Sequence, residues 1–347
     1  MKKMVLIFGL ALLSQFIFSQ NSWEVIYEQE GNGGLLLNNL SSSGVEYDVF
    51  ASGRTKNSFT QIHISKINQW TKDQKWAQNF LELGINAKDT PEDVFALDKD
   101  HIWVCGYRGM ISYSNQGGLV GTWNIQKTPN KELFLTSIWF SNSTNGWAVG
   151  KAESMVFTKD GGETWKQYTS PIKGHLSRVQ FIDDNHGYIL AGQISDDSFG
   201  RILITTDGGL HWEIQKYRGT GASAGMNGMY FFDANNGWVC GDAGFISHTN
   251  DGGKTWKIQQ WFIDRNHDLY DIHFVSVDEG WACGDKGLLY HTTDGGQNWE
   301  IIDIGEERDF IAIEFNGPYM GWVATQRKVY QLKDSRFKDY AQKQKGQ

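Results

Sequence analysis

Short apolar runs of strand length alternate along the chain with polar clusters of Asn, Asp and Gly. Runs such as LTSIWF, GWAVG, SMVFTK and TWKQY are rich in aromatic and β-branched residues, which favour β-strands. The clusters between them predict tight turns. After the first twenty residues no stretch of useful length has a helical period. The pattern therefore predicts an all-β protein made of many short strands.

One phrase recurs four times in the second half of the chain. The copies TKDGGETW, TTDGGLHW, TNDGGKTW and TTDGGQNW end at Trp165, Trp212, Trp256 and Trp299. Their spacing of 43 to 47 residues is typical of propeller blades. Each copy follows an apolar stretch with Gly-Trp or Gly-Tyr, so the repeated unit is longer than the phrase and has room for four strands.

Weaker copies of the phrase end at Trp123 and Trp76, and the apolar runs FIAIEF, GWVA and VYQL continue after Trp299 without another copy. We expect the missing fourth strand of this last unit to be SWEVIYE, residues 22–28. Six complete units and one composite unit then predict a seven-bladed β-propeller of four-stranded antiparallel blades, closed by the N-terminal strand. Such closure removes the open sheet edges that invite aggregation.

The N-terminus has the pattern of a signal peptide. Lys2 and Lys3 precede an apolar run from Val5 to Phe18 that is short for a membrane span. No cysteine lies near the expected cleavage point, which argues against a lipid anchor. We expect export to the periplasm or the extracellular medium, two compartments that the pattern does not separate. The expected segments are a signal peptide over 1–20, the propeller over 21–332 and a short polar tail over 333–347.

The net charge and the positions of the cysteines argue against nucleic acid and metal ions as ligands. A formal net charge of −8 disfavours nucleic acid as a partner. Cys105, Cys240 and Cys283 take the same place in their units, and Val149 takes it in another. A position that accepts Cys or Val is expected to be a small buried packing site, rather than half of a disulfide or a metal ligand. We expect no metal and no other cofactor.

The repeated phrase resembles the Asp-box of sialidases, sortilin-type receptors and xyloglucan endoglucanases. Its Asp can accept backbone N–H bonds across a tight turn, its glycines permit positive φ, and its Trp can pack between sheets. The resemblance implies a turn between the third and fourth strands, away from the catalytic end of those enzymes. We expect structural roles for four Asp-box pairs: Asp160 and Trp165, Asp207 and Trp212, Asp251 and Trp256, Asp294 and Trp299.

The whole unit is similar to that of the photosystem II stability and assembly factor family. The closest copies are NGWVCGDAGFISHTNDGGKTW, residues 236–256, and EGWACGDKGLLYHTTDGGQNW, residues 279–299. The resemblance covers roughly residues 23–332 and is weak in the first two blades. It implies a seven-bladed, non-enzymatic scaffold that binds a partner protein. Because export is expected, we expect this partner in the cell envelope or outside the cell, and we expect the protein to be a monomer. The resemblance does not identify the partner, because nothing in the sequence indicates a chlorophyll-binding host.

The alternative of a different class is a glycan-binding protein or a glycosidase of the sialidase-like Asp-box class. A sialidase needs three arginines to bind the substrate carboxylate, but Arg54 and Arg108 do not match the contexts of that signature. The xyloglucanases use two propellers, and one is expected here. Nucleophile elbows, P-loops and zinc-binding spacings are absent from the sequence. We therefore expect no enzyme, and no catalytic residue is assigned.

A binding site is expected where the connections between blades surround one mouth of the central channel. Loops displayed by a rigid scaffold commonly carry recognition, and four successive connections are rich in charged residues and histidines. The alternative is that these side chains are merely solvated. The candidate partner-binding rim consists of His175, Arg178, Arg218, Arg265, His267, Asp268, Arg308 and Asp309.

Overall fold

The computed structural model describes residues 22–28, 35–42, 49–55, 62–67, 79–81, 90–119, 121–192, 200–216, 225–260 and 267–334. Over these ranges the strands form seven four-stranded sheets whose neighbouring strands are antiparallel. The predicted all-β propeller with four-stranded antiparallel blades is confirmed. The expected signal peptide, the weak repeat that ends at Trp76 and residues 335–347 lie outside the described residues.

The first strand of each blade lies innermost, where it contacts the first strands of the neighbouring blades. These inner strands are β2 (Leu35–Ser42), β6 (Pro91–Ala96), β10 (Phe134–Phe140), β14 (Leu176–Phe181), β18 (Met226–Phe231), β22 (Leu269–Phe274) and β26 (Phe310–Phe315). The second strands are β3 (Val49–Thr55), β7 (Ile102–Gly106), β11 (Gly146–Lys151), β15 (Gly187–Ala191), β19 (Gly237–Gly241), β23 (Gly280–Gly284) and β27 (Gly321–Thr325).

The outer half of each blade consists of the third and fourth strands. The third strands are β4 (Ile62–Ile67), β8 (Ile111–Ser114), β12 (Met155–Thr158), β16 (Arg201–Thr205), β20 (Ile246–Thr249), β24 (Leu289–Thr292) and β28 (Lys328–Lys333). The fourth strands are β5 (Asn79–Leu81), β9 (Trp123–Gln126), β13 (Lys166–Gln167), β17 (Glu213–Lys216), β21 (Lys257–Gln260) and β25 (Glu300–Ile301), with β1 (Ser22–Glu28) outermost beside β28. We number the blades 1 to 7 in the order of their inner strands.

This antiparallel order gives each blade two different ends. The connections from one blade to the next and the hairpins between second and third strands lie at one end, called here the connection face. The hairpins between first and second strands and the Asp-box turns lie at the other end, called the Asp-box face.

Stacked aromatic rings join neighbouring blades and explain the repeated Gly-Trp. Trp238 of blade 5 stacks on Phe274 of blade 6 with ring centroids 3.6 Å apart, and Trp299 meets the same Phe274 edge-on at 5.9 Å. The glycine before each such Trp or Tyr lies against a phenylalanine of its own blade. A Cβ on Gly237 would lie 2.4 Å from the Phe231 ring, so no larger residue fits there.

The Asp-box turns share one hydrogen-bond pattern. In the copy that begins at Thr158, the threonine Oγ1 donates to Asp160 Oδ1 at 2.7 Å and accepts the Gly162 N–H at 2.9 Å. Asp160 Oδ1 also accepts the Thr164 N–H at 2.9 Å. Asp207, Asp251 and Asp294 make the corresponding bonds. Three of the four closing tryptophans are buried, whereas Trp256 is only half-buried.

The three cysteines are buried and unbonded, as expected for packing positions. Burial raises the pKa of each thiol, so all three stay protonated at neutral pH.

Within the described residues, none of the helical segments has the length and apolar character needed to cross a bilayer.

Candidate functional site

A β-bulge at the same place in every inner strand determines which side chains face the channel. In β14 the register shifts between Leu176 and Arg178, and the other six inner strands shift at the equivalent position. The residues after the bulge form a first layer: Asn39, Asp93, Ser137, Arg178, Gly228, Asp271 and Ala312. Two residues further along lies a second layer: Ser41, Phe95, Trp139, Gln180, Tyr230, His273 and Glu314.

Arg178 lies in the channel and not on the loop rim where the sequence analysis placed it. Its guanidinium reaches past blade 5 to Asp271 of blade 6, with a distance of 3.0 Å between Nη2 and Oδ1. Blade 5 contributes Gly228 to this layer, which leaves the path between the two side chains open. No sequence pattern indicates the bulge that turns Arg178 inward.

Two buried carboxylates accompany Arg178. Asp93 accepts the Val94 N–H at 2.8 Å, the Ile138 N–H at 2.9 Å and a bond from Asn39 Nδ2. Burial raises the pKa of Asp93 above its usual value, and the bonds from Ile138 and Asn39 and the charge of Arg178 oppose that effect. All of these partners are donors, which is the environment of an ionised carboxylate.

Asp271 is held in the same way. It accepts the Ile272 and Ile313 N–H groups, both at 3.0 Å, in addition to Arg178. Burial raises its pKa as well, and Arg178 is the largest opposing influence. The first layer therefore contains two anions for one cation.

The second layer combines aromatic rings with an acid. Trp139 packs on Phe95 with ring centroids 4.7 Å apart, and Tyr230 packs on His273 at 4.3 Å. Glu314 Oε1 accepts the Ser42 Oγ–H at 2.8 Å, and its Oε2 lies 3.5 Å from His273 Nδ1. These residues were missed by the sequence analysis, although a charged residue inside an apolar strand, as in LYDIHF and FIAIEF, was an available signal.

The two layers enclose a central cavity of about 410 Å³ lined by all seven inner strands. Its wall extends to Leu97, Ile182 and Phe232, which lie at the ends of inner strands on the Asp-box face. At the opposite end the wall stops at the first layer and, apart from Arg178, includes none of the described rim residues. The central cavity therefore opens towards the Asp-box face.

Three rim residues bond to the preceding blade on the connection face. His175, Asp268 and Asp309 each stand at the start of an inner strand. Asp268 Oδ1 accepts the Ala243 N–H at 2.9 Å, Asp309 Oδ1 accepts the Lys286 N–H at 2.9 Å, and His175 Nδ1 accepts the Ala152 N–H at 3.3 Å.

These hydrogen bonds stabilise turns whose backbone is strained. The three donor residues, Ala152, Ala243 and Lys286, all have positive φ, between 51° and 55°. Such a backbone is strained for residues other than glycine, so each acceptor side chain stabilises a strained turn.

Arg308 lies in a groove of about 690 Å³ between blades 6 and 7, which Asp309, Tyr270 and Arg327 also line. The Arg308 Nε and Nη2 atoms donate to the two oxygens of Glu306 at 2.9 and 3.0 Å. Burial tends to raise the pKa of Glu306, but the bonds from Arg308 and Tyr330 outweigh it and lower that pKa to about 2. Arg308 is thus held as a rigid, half-exposed cation.

Of the remaining rim candidates, one lies within the described residues and two lie outside them. His267 is partly buried beside Asp268 on the connection face. Arg218 and Arg265 lie outside the described residues. The structure therefore brings Arg308 and Asp309 into one groove, keeps His175 and Asp268 at other junctions of the same face, and places Arg178 in the channel.

Comparison with known proteins identifies the repeat. The profile of the family described as photosynthesis system II assembly factor YCF48 matches residues 68–173, 163–262 and 258–334. The chain belongs to this family.

Among curated relatives, the photosystem II assembly lipoprotein Ycf48 of Synechococcus sp. strain CC9902 is 42% identical over 187 residues, which are 51% of this chain and 52% of that protein. Ycf48 of Picosynechococcus sp. strain PCC 7002 is 26% identical over 132 residues, 36% of each protein. The chain thus spans about half, or less, of the length of these relatives.

Solved structures agree on the fold. YCF48 from Cyanidioschyzon merolae superposes with a TM-score of 0.67 and 15% identity, over 90% of this chain and 98% of that one. A streptogramin B lyase superposes with a TM-score of 0.69 and 14% identity, over 90% and 97%. An assembly factor and a lyase share this architecture, so the fold alone does not decide the function.

Proposed function

We propose that this protein is an exported, non-enzymatic propeller that binds a partner protein as an assembly or stability factor. Membership of the YCF48 family over residues 68–334 carries the proposal, because the relatives are named for assembling a protein complex. Their description as lipoproteins and the N-terminal apolar run of this chain support export. We infer a partner in the periplasm or outside the cell, and a monomeric scaffold.

We further propose that the seven sheets close into one ring, with β1 as the outermost strand of blade 7. Two sets of contacts support closure. Trp23 pairs with Leu332 and Glu28 with Lys328 across β1 and β28. Glu314 of blade 7 accepts the Ser42 N–H of blade 1 at 3.1 Å, which links the last inner strand to the first. A closed ring would supply a rigid platform for recognition.

The connection face supports a docking role through fixed side chains. Arg308 is locked by Glu306, and Asp309 by a backbone N–H, so both would meet a partner with little loss of side-chain entropy. A guanidinium presented in this way suits a carboxylate or an acidic segment. We propose the candidate partner-binding rim, apart from Arg178, as the partner-binding surface.

A glycosidase would need two carboxyl groups free to act as acid and base. In the central cavity, Asp93 and Asp271 accept hydrogen bonds from N–H donors and are held as structural anions. This arrangement favours binding over catalysis. Turnover of fluorogenic glycosides by the purified protein would support the glycan-directed alternative.

The test is capture of envelope proteins on the immobilised mature chain. Changing Arg218, Arg265 and Arg308 together to Ala should abolish capture. Because Arg308 pairs with the buried Glu306, thermal unfolding must show that the variant stays folded. The matched control changes Lys159, Lys254 and Gln297 on the Asp-box face. Capture that survives the rim change but not the control change would refute the rim as the docking surface.

A further inference from the structure

The central cavity opens on the face opposite the rim and has polar groups that the fold does not use. Within the described part of the chain, no hydrogen bond involves the Trp139 indole N–H or the Tyr230 hydroxyl, and both residues line the cavity. The Arg178 and Glu314 side chains are 28% and 23% exposed. The cavity is therefore accessible and has polar groups that are available to a ligand.

Its charge is negative. Asp93, Asp271 and Glu314 supply three carboxylates, and Arg178 supplies one guanidinium. Even with His273 counted as a cation, one negative charge remains. In a site with low-dielectric walls this charge attracts a cation more strongly than it would in water.

The walls suit a cation that carries an alkyl chain. Trp139 and Tyr230 both line the cavity, and Tyr230 packs on His273, which lies beside Glu314. Aromatic faces attract ammonium and guanidinium groups. The volume of about 410 Å³ falls within the range of small-ligand sites, roughly 300 to 1,000 Å³. A lysine or arginine side chain combines a methylene stem with a terminal positive charge.

The surrounding surface fits a basic and partly apolar segment. Asp183 and Asp233 lie in hairpins at the cavity mouth, and hydrogen bonds from their own turns keep the pKa of each below its usual value, so both stay charged. Phe232, at the lip, and Val277, in the next hairpin, are both 40% exposed. Acidic and apolar groups thus occur together in the hairpins of blades 4, 5 and 6.

We propose that the central cavity binds a lysine or arginine side chain that a partner protein inserts from the Asp-box face, while apolar neighbours of that residue rest on Phe232 and Val277. This rests on the proposed function, since it requires a protein partner. It adds a second contact surface, distinct from the rim, and specifies the chemistry that the surface recognises.

The test uses fluorescence anisotropy with the mature full-length chain. The probe is the labelled peptide Gly-Leu-Lys-Leu-Gly with blocked termini, and the matched probe replaces lysine by norleucine. The lysine peptide should bind at least tenfold more tightly than the norleucine peptide, about the effect of one desolvated charged hydrogen bond. Glu314→Gln should weaken binding of the lysine peptide about tenfold. The control Asp309→Asn, on the connection face, should change nothing.

Glu314 also accepts bonds from Ser42, so thermal unfolding must show that Glu314→Gln is folded. Trp139→Leu provides an independent variant, because no hydrogen bond in the described residues depends on its indole; it should also weaken binding. Equal binding of the two peptides, or binding that neither variant weakens, would overturn the inference. Rim-dependent capture of a partner alongside such a result would leave the proposed function standing, so the two failures are distinguishable.

Discussion

Replacing Trp165 by alanine tests whether the aromatic joints hold the blades together. Trp165 is 5% exposed and meets the edge of Phe140 at 5.9 Å. Its Nε1 donates to Gln126 Oε1 of the preceding blade at 3.0 Å, and Gln126 Nε2 donates to the Gly161 carbonyl at 2.9 Å. One side chain therefore contributes both to the packing and to a hydrogen-bonded junction.

The expected loss has two parts. Truncation of a buried tryptophan to alanine costs about 3 to 5 kcal/mol through lost burial and the cavity left behind. Gln126 also loses the donor to its Oε1, which adds about 1 kcal/mol if water does not replace it. Trp256 is the matched control, because it is only half-buried and its Nε1 bonds to Gly253 in its own turn. Trp256→Ala should cost clearly less.

Chemical unfolding of the two variants and the parent gives the comparison, with Trp165→Phe as a third variant that keeps a ring but loses the N–H. The expected order of stability is parent, Trp165→Phe, Trp165→Ala, and the Tm of Trp165→Ala should fall by about 10 °C. A Trp165→Ala protein as stable as the parent, or less affected than Trp256→Ala, would show that the junctions do not depend on these tryptophans.

Two further predictions concern the Asp-boxes and the N-terminal strand. The backbone N–H of His211 is the main influence that lowers the pKa of Asp207 from 3.8 to about 2, so its contribution to stability is present above pH 3.8 and lost as the pH falls through about 2. Asp207→Asn should flatten the difference in Tm between pH 4 and pH 2 relative to the parent; an unchanged profile would contradict this. Deleting Ser22–Glu28 should expose the β28 edge and reduce solubility and unfolding cooperativity, measured by light scattering and calorimetry. A truncated chain that unfolds like the parent would refute closure by β1.

The repeated phrase predicted the blades, including blade 2, whose copy of the phrase is degraded. In the degraded copy before Trp123, Ser114 replaces the threonine and its Oγ accepts the Gly118 N–H at 3.1 Å, as in the complete boxes. Trp123 Nε1 bonds to the Gly118 carbonyl at 3.2 Å. Turn chemistry is local, so the phrase was sufficient to predict it.

The channel was not predictable in the same way. Which residues of an inner strand face inward depends on a bulge, and a shift of one residue reverses every side chain. Arg178 was therefore assigned to a loop rim. The partnership of Arg308 with Glu306 was also missed, because it depends on the fold of one connection rather than on a periodic pattern.

The polar residues of the channel serve the ring as well as the cavity. At six of the seven junctions between the described inner strands, a side chain accepts a backbone N–H of the next blade; the acceptors are Ser41, Asp93, Ser137, Gln180, Asp271 and Glu314. In each of these six cases the donor is a backbone N–H in the inner strand of the next blade. It lies one residue after the position equivalent to that of the acceptor. At the seventh, Asn227 Nδ2 instead donates to the Leu269 carbonyl at 3.0 Å.

Most of the cavity wall is therefore constrained by stability, because changing an acceptor leaves a buried N–H unsatisfied. Among the described second-layer residues, four line the cavity without accepting such an N–H: Phe95, Trp139, Tyr230 and His273. They can change with less damage to the ring, whereas replacing Arg178 would leave the buried Asp271 without its cation. Adaptation of the cavity to a new ligand should therefore be concentrated at these four aromatic positions, while the acceptors keep the scaffold closed around them.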